Sequence, residues 1–346
     1  MEICPSPLLS SLVEVCIEAG RDLTKGRARY HARMPMICGV PCAIDSLWAI
    51  NEMVFKNATA VTSLTELLEC LFCDWGYDMI EPFQSNMGDP ERSELKARRF
   101  KDLREIALKL PKFGSGHENV DKFGGEVAAR LKAITYEILS DPESTVSPEM
   151  KAQLDNLVER YSLPAQDGQE ARPFVFHLMP AYGTFEDYIG LSLQNGASAD
   201  GRRKGSSLSS NFSPMSSPMD LPPDFTPRDI SKVLKGWNGS AFEDVLKIVA
   251  PVDIDIPEDT LHEVLTKVLH SFRLGKLGSN MLSITCADRE TLAKAQKYPE
   301  RYDLLRLRYG GWSEFFIGMY KDHQEQHLRR PIFADLSQSS NKCGKV

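Results

Sequence analysis

The stretch LRLRYGGWSEFF, Leu305 to Phe316, sets Gly310 and Gly311 between the bulky aromatics Tyr309 and Trp312 inside an apolar run. A glycine in a strand costs packing and entropy, and it marks a tight turn, a bulge or a close backbone approach. Cysteine is the other reactive residue type here. The eight cysteines, Cys4, Cys16, Cys38, Cys42, Cys70, Cys73, Cys286 and Cys343, are irregularly spaced. Cys70 and Cys73 form one Cys-x-x-Cys in a helical pattern with no second pair, so a four-ligand structural zinc is not expected and no metal is assigned. Cys16-Ile17-Glu18 reads Cys-x-Glu, a thiol beside a candidate acid/base, but it sits on the apolar face of an expected helix. Buried thiols there are normally inert core.

The bulk properties narrow the classes. The chain has 346 residues, 42% hydrophobic and 26% charged, typical of a globular protein. Net charge is 41 − 48 = −7, which argues against nucleic acid as a partner. No apolar run is long enough for a membrane helix, and the N-terminus has no basic region before an apolar core. A cytoplasmic location with reduced thiols is expected.

The elements that must position these residues read as helix-rich α/β. Helices are expected over SPLLSSLVEVCIEAG with Ser6 as cap, AIDSLWAINEMVF, TSLTELLECLFCDW with a Ser63–Glu66 capping box, and an exposed charged stretch 93–108. Further helices are expected over NVDKFGGEVAARLKAITYEIL and, with Ser147 as cap, SPEMKAQLDNLVERY. RPFVFHLMP, NMLSITC and DLLRLRY read as strands. TPRDISKVLKGW, EDTLHEVLTKVLHSFRLG, DRETLAKAQKYPERY and KDHQEQHLRRPIF read as helices. The polar segment from Leu193 to Pro227 is either a linker or a structured functional loop; its Arg202, Arg203 and Lys204 read as a solvated charge cluster.

Taken in order, the C-terminal segments resemble the glycine radical domain of the pyruvate formate-lyase and glycerol dehydratase superfamily. Ala295, Pro299, Glu300 and Tyr302 match its A-x-x-x-P-E-x-Y pattern. Arg308, Gly310, Gly311, Trp312, Ser313 and Phe316 match its R-V-x-G-[YFW]-[ST]-x-x-F motif, with Tyr309 and Gly310 departing from the commonest residues. Gln324 or Gln326, with Arg329 or Arg330, fit the glutamine and arginine of the next helix. SPLLSSLVEVCIEAGRDLTKGRARY, AIDSLWAINEMVFKNATAVTSLTELLECL, LPKFGSGHENVDKF and NGASADGRRKGSSLSSNFSPMSSP are similar to further family segments in family order.

The resemblance implies the C-terminal half of a ten-stranded α/β barrel with a buried glycyl radical loop. Residues 1–215 would belong to the barrel domain and 216–346 to the glycine radical domain. It places the radical on Gly311, where only glycine becomes planar without a side-chain clash, with Arg308, Gly310, Trp312, Ser313 and Phe316 as the surrounding motif. It implies an anaerobic lyase, dehydratase or acyltransferase-like enzyme that cleaves a C–C, C–O, C–N or C–S bond in a small substrate. A separate S-adenosylmethionine-dependent iron–sulfur activase would install the radical, with no other bound cofactor. The family's thiyl cysteine loop lies in the other half, so a chain supplying an N-terminal half-barrel, or self-association, is expected. Truncated enzyme, split subunit and non-catalytic remnant docking to a fuller partner all remain open.

Overall fold

Ser63, Asp89 and Ser147 each cap a helix with a side-chain oxygen. The computed structural model describes residues 5–14, 16–18, 20–25, 32–33, 36–84, 89–140, 147–162, 177–178, 181–185, 187–224, 226–236, 250–260, 262–274, 281–309, 311–334 and 336. In chain order the first elements are α1 (Pro7–Ser10), β1 (Ala32–Arg33), β2 (Met36–Ile37), α2 (Val40–Ile50), α3 (Leu64–Phe72), α4 (Pro90–Lys109), α5 (Glu118–Ser140) and α6 (Pro148–Tyr161). Then come β3 (His177–Leu178), β4 (Ala181–Tyr182), β5 (Arg228–Asp229), α7 (Ile230–Gly236), β6 (Pro251–Ile256), α8 (His262–Arg273) and β7 (Met281–Cys286). The last are α9 (Arg289–Lys297), β8 (Arg306–Tyr309), β9 (Trp312–Phe315), α10 (Lys321–Arg329) and β10 (Phe333–Ala334).

Two units can be recognised. One comprises residues 1–35 and 132–181, the other residues 36–131 and 182–346. In the first, the expected helix from Ser6 to Gly20 stops at Ser10 and continues as turns. Asp22 is the cause: its carboxylate accepts from Ser6 N at 2.8 Å and Ser10 Oγ at 2.9 Å, drawing the chain back on itself. Asp22 also takes the Thr24 hydroxyl at 2.6 Å, and this bond leads in holding its pKa down at about 2. Cys16 is buried, as expected of core. Parallel pairing of β1 with β3 and the Ser147-capped α6 complete the unit.

The second unit carries the larger core. α2 buries Val40, Ile44 and Ala49 and runs on into a π-helical turn, Asn51–Phe55. Ser63 caps α3 by accepting from Glu66 N at 3.1 Å. The return half of the capping box is absent, because the Glu66 carboxylate is engaged by Thr62 and Arg99. α4 is not a wholly exposed helix; Phe100, Leu103 and Ala107 are buried with Cys70, Cys73 and Trp75. Burial raises the Cys70 thiol pKa, and no His/Cys/Asp/Glu group among the described residues is arranged for a metal. The glycine pair in α5 has a packing reason. A Cβ on Gly124 would lie 2.5 Å from the Phe113 ring.

The central strands are β6 and β7, parallel and in register from Pro251↔Met281 to Ile256↔Cys286, with α8 between them in sequence. β6, PVDIDI, does not stand out in the sequence, because aspartate is a poor strand residue. All of its residues are buried. Val252, Ile254 and Ile256 enter one core with Ile44, Phe113, Phe212 and Phe333. On the other face Asp253 accepts from Ser210 Oγ at 2.9 Å and Asn211 Nδ2 at 2.8 Å, and Arg330 lies 3.9 Å from Asp253 and from Asp255. Among the described residues the sheets are two-stranded, so a continuous five-stranded half-barrel is not displayed. A parallel bridge from Asp255 to Ile332 carries β6 toward β10, which pairs with β5.

The polar segment is a structured loop. Arg202 is buried, its guanidinium bonded to the carbonyls of Arg203, Ser206 and Gly196. Arg203 pairs with buried Asp74 at 2.6 Å, and Lys204 N donates to the same carboxylate at 2.8 Å. The solvated-cluster reading therefore fails for both arginines, because folding the loop leaves carbonyls and a carboxylate that only guanidinium forks can satisfy.

Two further aspartates bind loop amides. Asp45 accepts from Phe113 N at 2.6 Å, and Asp121 from Gly114 N at 2.6 Å and Gly116 N at 3.0 Å. Burial raises their pKa values to about 7 and about 6 respectively. Lys112, Arg228 and Asp200 face Asp45, the cations opposing the rise and the acid adding to it. A carboxyl whose folded pKa is raised binds its proton more tightly when folded, so its contribution is complete below pH 3.8 and is lost as pH climbs through the folded value. The urea-unfolding free energy should therefore carry a component that falls between about pH 4 and pH 7. Asp45→Asn should flatten part of that slope; an unchanged profile in the variant would contradict the assignment.

Candidate active site

The residues singled out by the sequence form one β-hairpin. β8 and β9 pair antiparallel, Arg306↔Phe315, Leu307↔Glu314, Arg308↔Ser313 and Tyr309↔Trp312. That register puts Gly311 in the connection between the strands, where glycine is favoured. Gly310 lies outside the described residues. Gly311 has φ +131°, a conformation that side chains rarely adopt. A Cβ there would be 3.5 Å from Met281 Cε, an ordinary contact. Backbone conformation, not lack of space, is what demands glycine.

The hairpin is tied down at its base. Arg308 N donates to Thr285 Oγ1 at 3.2 Å, linking β8 to β7. Phe316 N donates to Leu305 O at 2.9 Å, extending the ladder. Phe316 is fully buried among Ala287, Leu292, Ala295, Leu307 and Leu328. Gln324 on α10 donates to Phe316 O at 2.8 Å, whereas Gln326 reaches Ser207 Oγ at 2.7 Å. Gln324 is thus the glutamine that serves the hairpin. Arg329 bonds Glu325 and the carbonyls of Pro218 and Leu221, and Arg330 bonds Ser210, so both arginines brace loops.

The tip is different. Gly311 is exposed, and Trp312 and Phe315 are 39% and 38% exposed. The expectation of a buried loop is not met by this chain, because Gly311 and all four residues of β9 are exposed. Trp312 stacks on Phe185 with ring centroids 5.8 Å apart, and Phe185 itself holds φ +49°. Arg306 lies 4.7 Å over the Phe315 ring, and Arg308 donates to its cross-strand neighbour Ser313 at 3.2 Å. The hairpin therefore presents one conformationally free glycine on a fixed base, beside rings that shed water only when something covers them.

Comparison with known proteins follows the same lines. Residues 1–147 match the pyruvate formate lyase-like family. The chain is 30% identical over 124 residues to the trans-4-hydroxy-L-proline dehydratase of Clostridioides difficile, covering 36% of this chain and 13% of that one. It is 34% identical over 74 residues to the (2S)-3-sulfopropanediol dehydratase of Klebsiella oxytoca, covering 21% and 9%. In fold, 96% of the chain superposes on 34% of the glycerol-bound B12-independent glycerol dehydratase of Clostridium butyricum, with TM-score 0.62 and 21% identity. A Roseburia inulinivorans structure concerned with 1,2-propanediol dehydration gives TM-score 0.62 at 21% identity over 95% of this chain and 35% of that one. The chain thus spans about a third of the length of these solved structures. Gly311 lies outside the segment matched to the family model.

The hairpin makes a graded stability prediction. Phe316→Ala empties a fully buried site and should cost about 3–5 kcal/mol. Gly311→Ala should cost only about 1–3 kcal/mol, the strain of an unfavourable backbone conformation. Urea unfolding of both variants measures the difference; an equal or larger loss at Gly311 would mean that its surroundings are packed.

Proposed function

We propose that this hairpin is a glycyl radical loop, with the unpaired electron on Gly311, in a lyase or dehydratase acting anaerobically on a small substrate. The supporting observation is the exposed, conformationally free glycine at the end of a motif hairpin whose base is fixed. A radical at a peptide Cα is stabilised when the centre is planar and shared with the flanking amides, which a side chain would hinder. Arg308 and Ser313 pair across the strands, Trp312 forms a ring wall beside the glycine, and Phe316 anchors it. In this reading residues 1–215 serve the barrel part, within the ten-stranded architecture, and 216–346 the radical domain.

The partners follow from exposure. An activase that uses S-adenosylmethionine and an iron–sulfur cluster removes one hydrogen atom from the Gly311 Cα, and the exposed tip suits such access. Catalysis then needs a thiyl cysteine close to Gly311 and a dry site. Polypeptide that supplies the cysteine would also cover Trp312 and Phe315; in the other unit Leu8, Leu12 and Ile17 are more exposed still, at 79%, 78% and 69%. Cys16 is buried core in this reading, not the thiyl residue. A second reading, in which the chain acts by docking alone, draws on the same uncovered rings.

The chain incubated anaerobically with an activase and S-adenosylmethionine should give a doublet in electron paramagnetic resonance. Air should then cut the backbone at Gly311 and release a fragment beginning near Trp312. Gly311→Ala should abolish both effects, Gly310→Ala should weaken them at most, and Cys16→Ala should leave them intact. A signal that survives Gly311→Ala, or a cut mapped elsewhere by mass spectrometry, rules out the assignment. No signal with a competent activase and complementing polypeptide favours docking.

A further inference from the structure

Under the loop 198–224, between α2, α4 and α10, lies a cavity of about 250 Å³ whose lining includes no residue of the β8–β9 hairpin. Its size is just below the range of about 300–1,000 Å³ usual for small-molecule sites. Its polar groups are unequally engaged. Arg202 and Arg329 are spent on backbone carbonyls. Lys112 gives two of its three protons to the carbonyls of Ala107 and Asp200. Arg228 donates to Gly114 O at 2.9 Å, its one side-chain hydrogen bond among the described residues. Asp45 is 1% exposed; its Oδ1 takes Phe113 N, but its Oδ2 has no hydrogen-bond partner among the described residues. A buried carboxyl oxygen without a partner costs free energy that a bound group can recover. Leu108, Leu208 and Leu221 supply apolar lining.

We propose that this cavity binds a small organic carboxylate, its head held by Arg228 and Lys112 with the Asp45 carboxyl donating its proton to it, and its short chain against the leucines. Charge selects the ligand. A cationic ligand meets Lys112 and Arg228, and a neutral alcohol brings them no charge to replace that of Asp45 once it is protonated; Asp200 and Asp224 also line the cavity. An anion satisfies both cations and accepts from the acid form of Asp45. Burial already raises that group to about pKa 7, and a second negative charge beside it favours the acid form further. The groups that set its titration are Lys112 after α4, Arg228 on β5 and Asp200 in the loop, with Asp224 and Asp121 acting on Arg228.

The test is calorimetric titration of the purified full chain with butyrate, n-butanol and n-butylamine at matched ionic strength. Butyrate alone should bind saturably. Its affinity should decline as pH rises through 7, and Asp45→Asn should remove that decline. Arg228→Gln should weaken binding by about tenfold or more, as expected for loss of a charge-assisted bond. Ser216→Trp, which carries an indole into the cavity and removes no charge, should abolish it. Circular dichroism melting identifies the folded variants, and Ser216→Trp decides alone if Arg228→Gln does not fold. Absence of saturable butyrate binding, equal binding of butanol, or full binding in Ser216→Trp would overturn the proposal. None of these outcomes bears on the radical assignment, which is read by resonance.

Discussion

A carboxylate removed from water must find its donors inside the protein, and this fold is organised by aspartates that do so. Asp45 and Asp121 hold the 112–116 turn by its amides. Asp74 holds the 203–204 turn, and Asp253 gathers Ser210 and Asn211. Each acid lies at or near a regular element; the donors to Asp45, Asp74 and Asp253 lie far along the chain, and those to Asp121 lie in the turn just before it. A hydrogen bond to a charged group contributes about 1.5–3 kcal/mol, more than a neutral one. That margin lets long irregular segments adopt one conformation without sheet or helix of their own.

The same constraint explains the floor of the cavity and the charged face of β6. Where an aspartate finds enough donors, as Asp253 does, it is structural. Where one oxygen is left over, as in Asp45, the protein retains a polar group whose partner must come from elsewhere. Arg289 and Arg330 show the opposite balance, cations drawn under a strand by Asp255 and also fastened to carbonyls or hydroxyls.

Helices were the legible part of the sequence, because caps and periodicity are local. Ser63 and Ser147 could be read directly as caps. What could not be read depends on distant partners. α1 stops at Ser10 because Asp22 competes for its first turn, and PVDIDI is a strand because Ser210, Asn211 and Arg330 neutralise aspartates that would otherwise forbid it. Arg202 and Arg203 have a surface composition, yet the loop closes around them. For the candidate site, the motif order located the hairpin and its glycine. Only coordinates separate Gln324 from Gln326 and show the tip uncovered. Asp45 carried no signal beyond being an acid within an apolar helix pattern.

The hairpin locates its glycine by counting. Its fixed points, Arg308 N on Thr285, Phe316 N on Leu305 and Gln324 on Phe316 O, all lie below the tip. From there the strand register carries position outward two residues at a time, since each step along a strand reverses the face. Substitutions among the tip side chains leave such a ruler unchanged, whereas a single insertion or deletion between Arg308 and Phe316 turns the glycine to the wrong side. Descendants of this sequence are therefore free to vary the chemical character of the tip, but not its length.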